Sequence, residues 1–270
     1  MSISKAVLPI AGLGTRFLPF TKVIPKEMLP IKGKPILQHL IEEAFDAGIR
    51  EIVLVISKEK EEIIRSYLSP DTATTKKIAE KGKDKALDAL NKLISEIKFH
   101  YVFQEEQLGD GHAILQAESI LKNEPFAVLF GDDIIVTPDD EPSALKQMIK
   151  AHEKTSSSII ALEEVPKEKV SSYGIVSLKK DTEYELSGMV EKPDPDSAPS
   201  NLGIIGKYIV TPKIFENLRN AKKSVGNEIR LIDGFLSLIK TQKIYGFKTS
   251  GIRYDTGTLA GYKQAVLEIN

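Results

Sequence analysis

The residues best equipped for chemistry open the chain. An apolar run from Ala6 to Ala11 breaks at Gly12 and Gly14, Arg16 follows at once, and Lys26 comes ten residues later. Glycines let backbone N–H groups approach a ligand closely, and the two cations neutralise what those groups hold. The guest such a turn suits is a polyphosphate. Residues 17 to 31 are otherwise largely apolar or proline, an odd setting for two charges that merely face water.

Three further constellations extend this chemistry. Gly131-Asp132-Asp133 ends a buried apolar run, where a carboxylate can hold Mg²⁺ together with phosphate oxygens while its neighbour points away or caps the turn. Asp255, in Tyr254-Asp255-Thr256-Gly257, is either a second metal ligand or the cap of the final helix. Glu191-Lys192-Pro193 pairs a carboxylate that can accept sugar hydroxyls with a lysine that can hold a phosphate; the same pair could be a plain surface ion pair. Gln104 precedes Leu108-Gly109-Asp110-Gly111-His112. Its amide has the donor and acceptor that the edge of a nucleobase needs, and Gly109 leaves room for a ring against backbone.

Composition removes other classes. With 37 basic and 38 acidic residues in 270, the chain lacks the electrostatic footprint of a nucleic-acid or anionic-membrane binder. No apolar run approaches the ~20 residues needed to span a bilayer. The short opening run does not read as a signal peptide. The absence of cysteine excludes disulfides and thiol catalysis. His39, His100, His112 and His152 lack zinc-site spacing. The default expectation is a cytoplasmic protein.

Alternating elements must position these groups. Ile36, Leu37, Leu40, Ile41, Ala44 and Phe45 share a helical face that ends at Gly48, and Ile52 to Ile56 is a strand covered on both sides. Helices are expected at 59–68 and 111–121, and strands at 98–103 and 126–130. Residues 70–97 read as a polar helical insertion with a stripe at Leu87, Leu90, Leu93, Ile94 and Ile97. Beyond residue 157 come short strands at 159–162, 174–178, 187–191 and 203–210. Helices follow at 212–219 and 228–240, then a strand near 243–249, the segment Ile252–Asp255 and a helix at 258–268. This is an α/β pattern: a Rossmann-like, mixed, mostly parallel central sheet flanked by helices, with a second, smaller lobe. We expect one domain over 1–270 in two parts, about 1–135 and about 136–270, which the family resemblance given below implies to be nucleotide-binding and sugar-phosphate-binding, the smaller lobe being the sugar-binding lobe. Ligands of such sheets sit beyond the carboxyl ends of strands, where the glycine turn and Gly131-Asp132-Asp133 fall. A dinucleotide fold is disfavoured, because its third glycine would fall on Phe17.

Taken together, the motifs resemble the nucleotidyltransferases that make nucleotide sugars, over nearly the whole chain. Ala11-Gly12-Leu13-Gly14-Thr15-Arg16 with Pro25-Lys26-Glu27-Met28-Leu29-Pro30 looks like the family signature. Val190-Glu191-Lys192-Pro193, Pro199-Ser200-Asn201-Leu202-Gly203 and Tyr254-Asp255-Thr256-Gly257 follow in the family order. The Pro25–Pro30 run and Pro199-Ser200-Asn201 point to the uridylyl branch rather than to thymidylyl and guanylyl relatives. The resemblance implies transfer of the uridylyl group of UTP to glucose 1-phosphate, assisted by Mg²⁺, in a homodimer or homotetramer. It implies that the backbone of Ala11, Gly12 and Gly14 holds UTP, with Arg16 and Lys26 at its phosphates and Glu27 buttressing the loop. Gln104 and Gly109 would read uracil, and Asp132 would hold the metal. Gly174, Glu191 and Lys192 would bind the sugar phosphate. Arg16, Lys26, Asp132 and Lys192 form the implied catalytic set, and Asp255 matches a metal ligand of the thymidylyl relatives. The alternatives are a thymidylyltransferase, a uridylyltransferase for another sugar 1-phosphate, or a non-catalytic nucleotide-sugar sensor. The chain departs from the family pattern at Ile10, Phe103 and Gly203, and at Asp110, which puts a charge on a usually apolar position beside the uracil loop.

Overall fold

The structure, a computed structural model, describes residues 3–121, 123–221 and 227–269. The first half runs β1 (Lys5–Pro9), the small hairpin β2 (Pro30–Ile31) and β3 (Lys34–Pro35), α1 (Ile36–Asp46), β4 (Glu51–Ile56), α2 (Glu61–Tyr67), α3 (Ala73–Glu80), α4 (Asp88–Ser95), β5 (Lys98–Phe103), α5 (Asp110–Gln116), α6 (Glu118–Leu121) and β6 (Phe126–Leu129). The second half runs β7 (Asp133–Val136), α7 (Ala144–Thr155), β8 (Ser158–Glu164), β9 (Gly174–Leu178), β10 (Leu186–Glu191), β11 (Leu202–Val210), α8 (Ile214–Arg219), α9 (Leu231–Leu238), β12 (Ile244–Lys248), β13 (Ile252–Asp255) and α10 (Leu259–Glu268).

The uninterrupted apolar strands are explained by what covers them. Side chains alternate across a sheet, so a strand buried on both faces must be apolar at every position. In β4, Ile52, Leu54 and Ile56 enter one core while Val53 and Val55 enter the other. In β1, Ala6 and Leu8 oppose Val7 in the same way. Helices α1, α7 and α10 close the first core; α5, α8 and α9 close the second. Helix α1 ends where Gly48 takes φ 95° and the Ile49 N–H reaches back to the Ala44 carbonyl at 3.0 Å.

Among the described residues, nine strands form one mixed sheet. Its first part, β5-β4-β1-β6, is parallel. Strand β11 then runs antiparallel to β6, and β8 pairs along the other edge of β11 and carries β12 parallel to itself. Strand β11 changes partner along its length. Lys207–Val210 pair with β6, whereas Gly203 pairs with Ile175 of β9, which carries β10. The sheet therefore forks around residues 204–206. Apart from it, β13 pairs with β7, setting Asp255 opposite Asp133.

Four differences from the sequence reading matter. The helix expected at 111–121 divides at Ala117 into α5 and α6. The helix expected at 228–240 begins only at Leu231, because the residues before it form a strap whose Ile229 N–H donates to the Leu108 carbonyl at 2.8 Å and whose Ile229 carbonyl takes the His112 N–H at 3.2 Å. Helix α7 lies in a stretch left unassigned. Asp133 opens strand β7 rather than capping a turn. Lys207, fully buried, explains part of this: its ammonium pairs with Glu43 at 2.6 Å and donates to the Asp133 carbonyl at 3.3 Å. The other Glu43 oxygen accepts the Leu145 N–H at 3.1 Å, which ties α1, α7 and β11 together beneath Asp133.

Candidate active site

The glycine turn leaves β1 at the carboxyl end of the parallel strands. Gly14 takes φ 64°, and a Cβ there would lie 3.1 Å from Thr21 Cγ2 and 3.4 Å from Lys26 Cβ, so the turn needs glycine for its backbone and its neighbours alike. Thr21 Oγ1 donates to the Gly14 carbonyl at 2.8 Å. Beneath the turn lies Lys60, just before α2. Its ammonium donates to the carbonyls of Ile10 (2.7 Å) and Gly12 (2.6 Å) and to Glu27 Oε2 (2.9 Å). The Ala11 carbonyl takes Gln107 Nε2 at 3.3 Å. The carbonyls of Ile10, Ala11, Gly12 and Gly14 are thus engaged by protein donors rather than turned free toward a phosphate. Glu27 is 1 % exposed, and its Oε1 has no hydrogen-bond partner. Glu27 meets the loop through Lys60, a residue that no local sequence motif marks.

Lys26 projects from the next turn and pairs with Asp132. Burial holds its ammonium below the ordinary lysine range; the Glu27 charge opposes that shift, while Lys60 and Arg16 add to it. Three cations within electrostatic reach of one another make the loop a receptor for multiple negative charge.

Gln104 follows β5, its backbone N–H on the Ile56 carbonyl at 2.9 Å. Its side-chain nitrogen lies 2.9 Å from the Gly109 carbonyl and 3.1 Å from His112 Nδ1. The amide nitrogen is therefore engaged on the Gly109 carbonyl within the protein. Gly109 has φ 96°, and a Cβ there would sit 2.6 Å from the Ile229 carbonyl oxygen. Gly12, Gly14, Lys26, Gln104, Gly109 and Asp132, with Ala11 and Glu27, line one cavity of about 320 Å³.

A second cavity, about 500 Å³, opens at the fork in the sheet and is lined by Arg16, Asp132, Gly174, Glu191, Lys192 and Asp255. Asp110, Phe130 and Asp132 border both cavities. The two acids after Gly131 divide their tasks. Asp132 borders both cavities, while Asp133, at the wall of the second, is buried and accepts the Gly206 N–H at 2.6 Å and an N–H of Arg253. Arg253 also donates to Glu163 at 2.9 Å and to the Tyr173 hydroxyl at 3.2 Å, bracing the fork. Asp255 accepts the Gly257 N–H at 2.9 Å, and the cap of α10 is Thr258 instead, so Asp255 is not the helix cap the sequence allowed. A Cβ on Gly257 would lie 2.8 Å from Asp132 Oδ2.

Strand β10 ends at Glu191, and Lys192 adopts φ 47° with its N–H on the Tyr173 carbonyl at 2.9 Å. Lys192 Nζ and Arg230 Nη1 stand 3.6 and 3.7 Å from Glu191 Oε1. A Cβ on Gly174 would lie 3.3 Å from Glu191 Oε2 and 2.9 Å from Ile232 Cδ1. Arg16 faces this second cavity and donates to the Gly257 carbonyl at 3.2 Å, apart from Lys26 on the nucleotide side. Sequence reasoning missed Lys60 and Arg253, whose partners lie tens of residues away along the chain, and Arg230, which pairs locally with Asp233 and reaches Glu191 only through the fold.

Two adjoining cavities sharing the carboxylates of Asp110 and Asp132, one ringed by a phosphate loop and the other by an acid–lysine pair, describe a two-substrate transferase. Residues 5–270 match the nucleotidyl transferase family. This chain belongs to that family. Among members it is 42 % identical, over 98 % of its own length and 92 % of the relative's, to the UTP–glucose-1-phosphate uridylyltransferase of Staphylococcus haemolyticus. To that of Bacillus subtilis it is 41 % identical, over 98 % and 90 %. The fold superposes on a UDP-glucose pyrophosphorylase complexed with UDP-glucose with a TM-score of 0.90, at 42 % identity, covering 99 % of this chain and 98 % of the other. It also matches a UTP-bound enzyme of that kind from Acinetobacter baumannii with a TM-score of 0.91, at 34 % identity over 99 % and 93 %.

The donor set fits a hard divalent cation. Among the described residues no group of three or more His, Asp or Glu side chains could hold a metal. Yet two carboxylates, Asp132 and Asp255, line one cavity, and a cation, the Lys26 ammonium, already rests on Asp132. One or two carboxylates completed by substrate phosphate is the Mg²⁺ pattern. Among the described residues, no helix is long and apolar enough to cross a membrane.

Proposed function

We propose that this chain transfers the uridylyl group of UTP to α-D-glucose 1-phosphate, giving UDP-glucose and pyrophosphate. The observation that carries the reading is the pair of cavities meeting at Asp132. The printed activity of the relatives, and the UDP-glucose held by one structural neighbour, support the choice of substrates.

An oxygen of the sugar phosphate attacks the α-phosphorus of UTP in line; the bond from that phosphorus to the bridging oxygen breaks, and pyrophosphate leaves with the electron pair. The nucleophile is already an anion, so no general base is needed. Two anions must meet, and fixed positive charge is what lowers that barrier. Lys26 and the loop amides take the triphosphate and Lys192 steadies the sugar phosphate. Arg16, on the sugar side, supports the leaving group or the nucleophile at the seam. Glu191 accepts hydroxyls of the hexose. Asp132 with Asp255 would hold Mg²⁺, which when bound supplies charge neutralisation between the two phosphates.

The part about 1–135 serves the nucleotide and the part about 136–270 the sugar phosphate. A homodimer or homotetramer in the cytoplasm completes the proposal. Leu259, Val266 and Leu267, exposed on α10, supply an apolar surface for such an assembly, which sedimentation velocity tests.

The deciding experiment is pyrophosphate release measured over UTP and dTTP against glucose and galactose 1-phosphates. Preference for UTP with glucose 1-phosphate is expected. A preference for dTTP or for galactose 1-phosphate moves the assignment to a sister activity, and no release with any pair makes the chain a binder rather than an enzyme.

A further inference from the structure

We propose that Asp110 is a specificity residue for the sugar: its carboxylate accepts a hydrogen bond from a hydroxyl of the bound hexose 1-phosphate. The inference rests on the function proposed above and assigns a contact that reading does not include. Among the described residues Asp110 alone borders the nucleotide cavity, the sugar-phosphate cavity and a smaller recess of about 120 Å³ that branches from the latter.

Its side chain is held in place. Oδ1 accepts the Gly111 N–H at 2.7 Å and the Leu231 N–H at 2.9 Å, which pins the start of α9 to the start of α5. Both bonds use the same oxygen, so Oδ2 is the one left for a ligand. The recess also presents Glu191 and Arg230, 3.7 Å apart. Two carboxylates repel a phosphate, so the anionic end of the substrate belongs with Lys192 and Arg16. What two carboxylates and a guanidinium bind well is a neutral polyol, whose hydroxyls donate to the acids and accept from the arginine. Burial, reinforced by the Glu191 charge, pushes the Asp110 carboxyl above its ordinary range, while the Leu231 and Gly111 N–H groups oppose that shift.

The ribose of UTP offers the same chemistry from the other cavity, and the test separates the two. Asp110→Asn keeps a carbonyl oxygen for Gly111 and Leu231 but removes the charge and replaces the second acceptor with a donor. KM for glucose 1-phosphate should rise roughly tenfold, the worth of one charge-assisted hydrogen bond. KM for UTP should stay within about twofold. Each KM is independent of the fraction of enzyme that folds. Repeated with monodeoxy glucose 1-phosphates, the ratio between wild type and Asp110→Asn should fall to about one for the analogue lacking the contacted hydroxyl. An equal or larger rise for UTP places the contact on the ribose and overturns the proposal, as does a ratio that is constant along the deoxy series. If wild type releases no pyrophosphate from UTP and glucose 1-phosphate, the function itself fails; if wild type turns over and Asp110→Asn is unaltered, only the Asp110 contact fails.

Discussion

Replacing Lys60 with methionine should loosen the whole phosphate loop from below. The ammonium is nearly buried and serves two loop carbonyls and Glu27. Methionine preserves most of the packed stem but leaves the Glu27 carboxylate, which already has one unpartnered oxygen, without its hydrogen-bonded cation. Removing one partner of a buried ion pair costs about 3–5 kcal/mol. The Glu27 carboxyl can escape part of that by taking up a proton, so the lower end, about 3 kcal/mol, is the better figure. At about 2–4 °C per kcal/mol for a chain of this size, the midpoint of thermal unfolding should fall by about 6–12 °C. The freed Ile10 and Gly12 carbonyls should also weaken UTP binding. Glu27→Gln combined with Lys60→Met removes the stranded charge, so the double variant should recover part of the loss, a coupling of about 1–3 kcal/mol. Calorimetry on the four proteins of that cycle, with KM for UTP, is the assay. Additive losses, or a midpoint change under about 2 °C with KM for UTP unmoved, would refute the idea that Lys60 holds the loop.

Other perturbations have equally definite outcomes. Lys192→Ala should raise KM for glucose 1-phosphate by about 10–100-fold, as expected on losing a charged hydrogen bond, with KM for UTP little changed; equal losses for both substrates would remove Lys192 from the sugar phosphate. Because burial lowers the Lys26 pKa from 10.5, kcat/KM for UTP should decline on the alkaline side below that pH, and Lys26→Arg should push the decline upward. The same shift fixes the sign for stability. Between the folded value and 10.5 the unfolded chain binds more protons, so stability gains from this group as pH rises through that window; an unshifted alkaline limb in Lys26→Arg would assign it to another group. Gly109→Ala drives a methyl into the Ile229 carbonyl and strains a positive φ, at a cost of about 1–3 kcal/mol for the backbone conformation, and should weaken UTP binding by displacing the strap over the base loop. Unchanged UTP affinity in a folded Gly109→Ala protein would separate that strap from the nucleotide.

What the sequence discloses is what is contiguous. Gly12, Gly14, Arg16 and Lys26 lie on one loop, Glu191 and Lys192 are adjacent, and the doubly covered strands declare themselves by unbroken apolar runs. The supports are dispersed. Lys60 sits 33 residues from Glu27, Lys207 sits 164 from Glu43, and Arg253 sits 120 from Asp133, each in an ordinary polar or apolar context that local patterning cannot interpret. Helix α7 carries a legible stripe, Ala144, Leu145, Met148 and Ile149, between two louder motifs. The strap before α9 has the composition of a helix start, but Leu108, Asp110 and His112 take its backbone groups, a tertiary override that no window of sequence contains.

The central claim is that the seam at Asp132 is where a uridylyl group changes hands. UTP labelled at its α-phosphorus, incubated with the protein, Mg²⁺ and glucose 1-phosphate, tests it most directly. The label should appear in UDP-glucose and not in pyrophosphate, and only when the sugar phosphate is present. Label released as UMP or UDP, or consumed without glucose 1-phosphate, would contradict the account.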